Sequence, residues 1–204
     1  MVLVFVIIKD FGSAAQAGFG VGVRVLQASF LPVIAISFAA SPVAGQNFGA
    51  HQVGRVRETF KISALICSAL MLLITALAHI APDTLIRAFS KDTAVIAFGA
   101  QYLRIISYNF VASGLIFAAS SMFQAMGNTL PPLGSSCLRI LLFAIPAWMV
   151  FKIPGFKIEW IWYLSLATVL FQMCLNLYLL RREFRKKLDW MVAETKEVEV
   201  VVAV

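Results

Sequence analysis

Apolar residues in this chain run in long unbroken stretches rather than in stripes of helical or strand period. Five such stretches, Val25–Gly45, Ile62–Ile80, Ile105–Met126, Ile140–Phe151 with its flanks and Trp160–Leu180, contain no Asp or Glu. A helix needs roughly 20 apolar residues to cross the hydrocarbon core of a bilayer, and a segment apolar on every side is a lipid-facing pattern. Because the bilayer centre offers no water to backbone groups, and the stretches are too long for barrel strands, they predict α-helices. Met1–Ile8 is too short to span. Lys9 and Asp10 follow it and no basic segment precedes it, so it reads as the end of a helix that starts upstream and not as a signal peptide. The expectation is an all-α integral membrane protein, a polytopic helical bundle with one partial and five full transmembrane helices, and a chain that is a fragment.

Turn signals separate these spans: Gly12-Ser13, Pro82-Asp83, Gly127-Asn128 with Pro131-Pro132, and Pro154-Gly155. Short connections make successive helices antiparallel neighbours in one bundle. After Lys187 acidic and β-branched residues alternate through Glu194, Glu197 and Glu199 to Val204. The predicted organisation is a transmembrane lobe over residues 1–187 and a disordered tail over 188–204.

Composition supports the membrane class, with 61% hydrophobic and 13% charged residues, far from a soluble mixture. The formal charge of +7 does not point to nucleic acid, because the basic residues sit between spans and form no surface interleaved with aromatic residues. Arg55, Arg57 and Lys61 lie on the side that also carries Arg181, Arg182, Arg185, Lys186 and Lys187 if the spans alternate. Lys9, Arg87, Lys91, Lys152 and Lys157 lie on the other. The positive-inside rule then makes the C-terminus cytoplasmic and the protein multi-pass in a plasma (inner) membrane. Cys67, Cys137 and Cys174 are odd in number and lie in or beside apolar spans, which argues against a disulfide framework.

Enzyme signatures are absent. His51 and His79 stand apart, no metal-ligand spacing occurs, and all ten acids fall in loops, helix ends or the tail, so neither a catalytic carboxylate pair nor a cofactor is expected. Gly18-Phe19-Gly20-Val21-Gly22 lacks the strand and the Lys-Ser/Thr of a phosphate loop and reads as a close helix contact. Polar residues within the spans say more, because they tend to face a bundle interior or a cavity. Tyr102, Asn109, Ser113, Ser120 and Gln124 recur at helical spacing. Ser165, Thr168, Gln172 and Asn176 do the same, and Arg24, Gln27, Ser37 and Ser41 lie along a broader polar face. Two readings stay open for these: lining of a substrate cleft, by Gln27, Tyr102, Asn109, Ser113, Gln172 and Asn176 above all, or hydrogen bonding between helices. Arg24 and Arg104, charges well inside spans besides Arg139, either snorkel to the headgroups or supply charge to the cleft. Pro32, Pro42 and Pro146 each remove a helical hydrogen bond and predict kinks.

Gly45-Gln46-Asn47-Phe48-Gly49-Ala50, at the end of a proline-containing helix and before a basic segment, resembles the multidrug and toxic compound extrusion (MATE) family. So do Gly20-Val21-Gly22-Val23-Arg24 with Pro32 downstream, Tyr102-Leu103-Arg104-Ile105, and Gln124-Ala125-Met126-Gly127-Asn128-Thr129-Leu130-Pro131. Their order on successive spans covers about residues 12 to 182. The resemblance implies a twelve-helix antiporter of two six-helix lobes that exchanges Na⁺ or H⁺ for organic, often cationic, drugs, with this chain corresponding to the C-terminal lobe. Its partners would be the lipid bilayer, a missing N-terminal lobe and a small organic substrate. Where some members carry cation-binding acids in the tenth helix, this chain has neutral Asn109 and Ser113, so the coupling ion is expected to bind outside this fragment. The alternatives are a lipid-linked oligosaccharide flippase of the same superfamily, which Arg24 and Arg104 in the cleft would favour, and a membrane subunit that does not transport.

Overall fold

The computed structural model describes residues 2–9, 12–152 and 158–202. Its helices are α1 (Val2–Ile8), α2 (Ser13–Gly49), α3 (Val53–Ile80), α4 (Pro82–Arg87), α5 (Thr93–Ile106), α6 (Asn109–Ala125), α7 (Leu130–Phe151) and α8 (Glu159–Val202). By length and composition α2, α3, α7 and α8 can each cross a bilayer, and α5 with α6 makes a fifth candidate span. Several turn signals belong to helices. Pro82 opens α4, and Pro131 and Pro132 occupy the first turn of α7, where a missing N–H would have had no partner within the helix. Arg55, Arg57 and Lys61 ride on the first turns of α3. Pro154-Gly155 and Asp10 lie outside the described residues.

At the centre of the bundle, α6 packs against α2, α3 and α8, while α2 also rests on α3 and α5. Small residues bring the backbones together: a Cβ on Gly22 would lie 2.5 Å from the Tyr102 ring, and one on Gly114 would lie 3.3 Å from the Cys67 carbonyl oxygen. By contrast α7 leans on α8 and barely touches α6. Its Leu133, Leu141 and Ile145 are exposed, as a lipid-facing or partner-facing helix requires.

The Ile105–Met126 stretch is not one straight helix. It breaks at Ser107–Tyr108, where α5 and α6 meet at 55°. A break at membrane depth survives only where protein satisfies the freed backbone; here the Phe110 N–H donates to the Ser107 carbonyl at 3.0 Å, and α3 adds a second contact. The Thr75 hydroxyl lies 3.1 Å from the Ser107 carbonyl oxygen and 2.8 Å from that of Met71. The Ser107 hydroxyl donates to the Arg104 carbonyl and lies 3.4 Å from His79 Nδ1. The His79 and Tyr108 rings meet edge to face at 4.8 Å, and Ser107 is fully buried.

The disordered tail expected from residue 188 is instead a continuation of α8. Leu188 and Met191 are buried with Val56, against Phe48 and Phe184, so the lobe does not end at 187. At this end of the bundle α2 and α6 close with the same C-cap. Gln52 N–H donates to the Asn47 carbonyl and Asn128 N–H to the Phe123 carbonyl, with His51 (φ 56°) and Gly127 (φ 69°) in the left-handed region. Lys187 ties both ends to α8. Its Nζ donates to the Met126 carbonyl at 2.8 Å, pairs with Glu183 at 3.2 Å and stands over the Phe48 ring at 5.9 Å. Asn128 Nδ2 adds a bond to Glu183 at 2.9 Å.

If α3 supports the break, Thr75→Val should cost about 0.5–1.5 kcal/mol by removing the second donor to the Ser107 carbonyl, which keeps the Phe110 N–H. Unfolding of the detergent-solubilised protein would measure it, and an unchanged stability would contradict this account of the bend.

Candidate functional site

Two adjoining cavities open among the spans. The first, about 370 Å³, lies between α2, α6, α7 and α8. Ser113, Ser120 and Gln124 recur along one face of α6 and line it, with Ser37 of α2 beside them. Opposite stand Ser136 and Arg139 of α7 and Gln172 of α8. Gln172 Nε2 donates to the Ser136 hydroxyl at 3.0 Å, a bond that holds α7 to α8 at the cavity wall. The second cavity, about 310 Å³, is aromatic, lined by Phe19, Tyr102, Phe143 and Trp162 together with Arg139 and Ser165. There Phe19 and Trp162 stack at 5.5 Å and 14°, and Tyr102 meets both edge on, at 5.2 and 4.7 Å.

The expected cleft residues divide. Ser113 and Gln172 line the first cavity, and Tyr102 lines the second. The break before α6 takes Tyr102 off the stripe that continues through Ser113, Ser120 and Gln124. Asn109, at the start of α6, lines neither cavity; it is buried, with no partner for Oδ1. Asn176 is fully buried and its Oδ1 accepts from the Ser135 hydroxyl at 2.7 Å, which is the interhelical role and not lining. Arg24, Gln27 and Arg104 are exposed and line neither cavity. Of the expected cleft residues, the two cavities within this chain therefore take Ser113, Gln172 and Tyr102.

α2 runs on through Pro32 and Pro42, and α7 through Pro146, each withdrawing the bond to the carbonyl of Ala28, Phe38 or Leu142. The 55° break lies at Ser107–Tyr108, where there is no proline. Of the family-like motif, Gly45 lies against the end of α6, where a Cβ would sit in ordinary contact 3.5 Å from the Ala125 carbonyl oxygen. Asn47 Nδ2 donates to the Val43 carbonyl at 2.8 Å, while Gln46, Gly49 and Ala50 complete the final turns of α2 and its cap. The motif thus shapes a helix end and lines neither cavity.

Arg139 is the functional candidate that the polar stripes do not reveal. It is the one charged residue of α7 and lines both cavities. Its Nε is shut off from solvent and has no hydrogen-bond partner. A rise of 1.5 Å per residue puts it ~14 Å from Leu130 and ~18 Å from Phe151, near mid-depth, where arginine costs about 2.5–3.5 kcal/mol on insertion scales. The sequence signal was this depth: a lone charge midway along an apolar helix. Among the described residues neither cavity is lined by a carboxylate, and no group of His, Cys, Asp and Glu could hold a metal ion. The site can bind, orient and hydrate through hydroxyls, amides, aromatic faces and one fixed positive charge.

In a background freed of the three native cysteines, Ser113→Cys and Gln172→Cys should react with a small water-soluble thiol reagent. Asn176→Cys and the outward-facing Leu65→Cys should stay inert. Equal inertness at all four positions would mean that the cavity is dry.

The MatE family profile matches residues 1–149. The probable multidrug resistance protein NorM of Thermotoga maritima is 26% identical over 171 residues, which is 81% of this chain and 36% of that protein. The probable multidrug resistance protein YpnP of Bacillus subtilis is 29% identical over 133 residues, 62% of this chain and 30% of its own length. This chain thus spans about a third of these curated relatives. A MATE crystal structure in the bent conformation superposes with a TM-score of 0.85 at 15% identity, covering 94% of this chain and 43% of that one, so the two share a fold. With the family profile matching most of its length and the apolar helices arranged in that fold, the chain belongs to the MatE family and is a multi-pass membrane protein.

Proposed function

We propose that this chain forms one lobe of a secondary transporter that exports drugs and other small organic solutes by alternating access, in exchange for Na⁺ or H⁺. The observation that carries the reading is the polar cavity at mid-depth between α2, α6, α7 and α8, since hydroxyls and amides set into apolar helices are otherwise costly. The names of the relatives as multidrug resistance proteins support the substrate class. In this reading an N-terminal lobe supplies the facing half of the pathway, the bilayer surrounds both, and the basic end of the bundle, with the C-terminus, lies in the cytoplasm.

A subunit that does not transport would use its polar residues to join helices, as Asn176 and Ser135 do. It would have no use for Ser113 and Ser120 beside open space. Within this chain Arg24 and Arg104 line neither cavity, so the lobe's own cavities give no support to a lipid-linked oligosaccharide flippase.

Coupling to an ion gradient needs a group whose charge changes with occupancy, and neutral amides do not titrate. No described acid lines either cavity, and Glu183 and Asp189 sit on α8 beyond its apolar stretch, so in this reading the coupling carboxylate belongs to another part of the transporter. The test uses the full-length protein in cells, with drug accumulation measured while the Na⁺ and H⁺ gradients are collapsed separately. Collapse of one gradient should abolish efflux. Neutralising Asp10, Glu58, Asp83, Asp92 and Glu159 singly should leave ion-coupled efflux within about twofold of the unaltered protein, as surface changes usually do. Loss of coupling in one of these variants at normal expression would place the ion site within this lobe, and efflux indifferent to both gradients would contradict antiport.

A further inference from the structure

We infer that the two cavities that meet at Arg139 bind an amphiphilic organic anion, with its acidic group held by Arg139 and its apolar body laid in the aromatic cavity. This inference rests on the transporter reading and names the charge and shape of its cargo. Arg139 is the residue common to both cavities, and it makes no ion pair or hydrogen bond with a described residue. Its mid-depth position puts both membrane surfaces beyond easy reach of the side chain, so snorkelling does not account for it. A guanidinium with no protein partner, its Nε shut off from solvent and its head between two cavities, is a site for a carboxylate, sulfonate or phosphate ester, which it can grip with two parallel hydrogen bonds.

The surroundings agree on the sign of the charge. Ser113, Ser120 and Ser136 supply hydroxyl donors on the polar side, and neither lining contains an Asp or Glu. On the other side, Ile106, Ile140, Phe143 and the edges of the Phe19, Tyr102 and Trp162 cluster give the second cavity an apolar wall. Cavities of about 370 and 310 Å³ are of the size that takes a small organic ligand. A cationic ligand in the same place would set its charge against the guanidinium with no carboxylate to offset the repulsion.

Fluorescein and rhodamine 6G share a xanthene ring system and carry opposite charge, so they make a matched pair of probes. Their binding to the full-length protein in detergent can be followed by fluorescence anisotropy. Fluorescein should bind the tighter. Arg139→Gln should weaken fluorescein on the order of tenfold or more while leaving rhodamine 6G unchanged or tighter, and Arg139→Lys should fall between. Should Arg139→Gln not fold, the unaltered protein serves: fluorescein should raise its thermal unfolding temperature and rhodamine 6G should not. Equal fluorescein affinity in Arg139→Gln, or a preference of the unaltered protein for rhodamine 6G, would overturn the inference. Displacement of fluorescein by phosphatidylglycerol would assign Arg139 to a lipid headgroup and overturn it as well. Binding does not require transport, so fluorescein bound through Arg139 with neither dye exported would count against the transporter reading alone.

Discussion

A backbone carbonyl in hydrocarbon has no water to accept from, and that constraint shapes every part of this lobe. It makes the apolar stretches helical, and it decides where a helix is allowed to stop. The break at Ser107–Tyr108 is possible because Thr75 and His79 of α3 stand against it, inside the bundle and away from lipid. The ends of α2 and α6 follow the same rule with left-handed caps, and Lys187 takes up the Met126 carbonyl. By joining α2, α6 and α8 at one end, these contacts fix the frame across which the cavity opens.

Side-chain polar groups meet the same constraint in two ways. Some find partners across helices: Ser135 with Asn176, Ser136 with Gln172, Thr75 with Ser107. Others, such as Ser113, Ser120 and Arg139, face open space between helices. The loose packing of α7, held by α8 and scarcely by α6, creates that space. A helix held along one side is also the element that can move with least disruption of the core, which is consistent with a pathway that changes shape.

The membrane class, four of the spans and the family were legible because they rest on long apolar runs and on motifs at helix ends, both local properties of the sequence. Helix ends were less so: Pro131 and Pro132 read as a turn yet open α7, and the charged segment after Lys187 reads as disordered although Leu188 is buried against Val56. Local composition cannot show that a helix has a neighbour to lean on. The site was half legible for the same reason. Helical spacing places Ser113, Ser120 and Gln124 on one face, but it carries them past the break to Tyr102, and it cannot tell the paired Asn176 from the cavity-lining Gln172. Arg24 and Arg104 drew notice as charges in spans while Arg139, at greater depth, proved to be the one in the cavities. Depth and the absence of a partner are both needed to single it out, and the second is a property of the fold.

The central claim is that water reaches mid-depth inside this lobe along one face of α7. Spin labels placed singly at positions 136, 138, 141, 143 and 145 of the full-length protein in bilayers would measure collision with a water-soluble nickel chelate and with oxygen. The account predicts nickel accessibility at 136 and 143 and little at 138, 141 and 145, repeating with the helical period. Uniformly low nickel accessibility along the helix would contradict it, and would leave the polar residues of α6, α7 and α8 as contacts within a dry bundle.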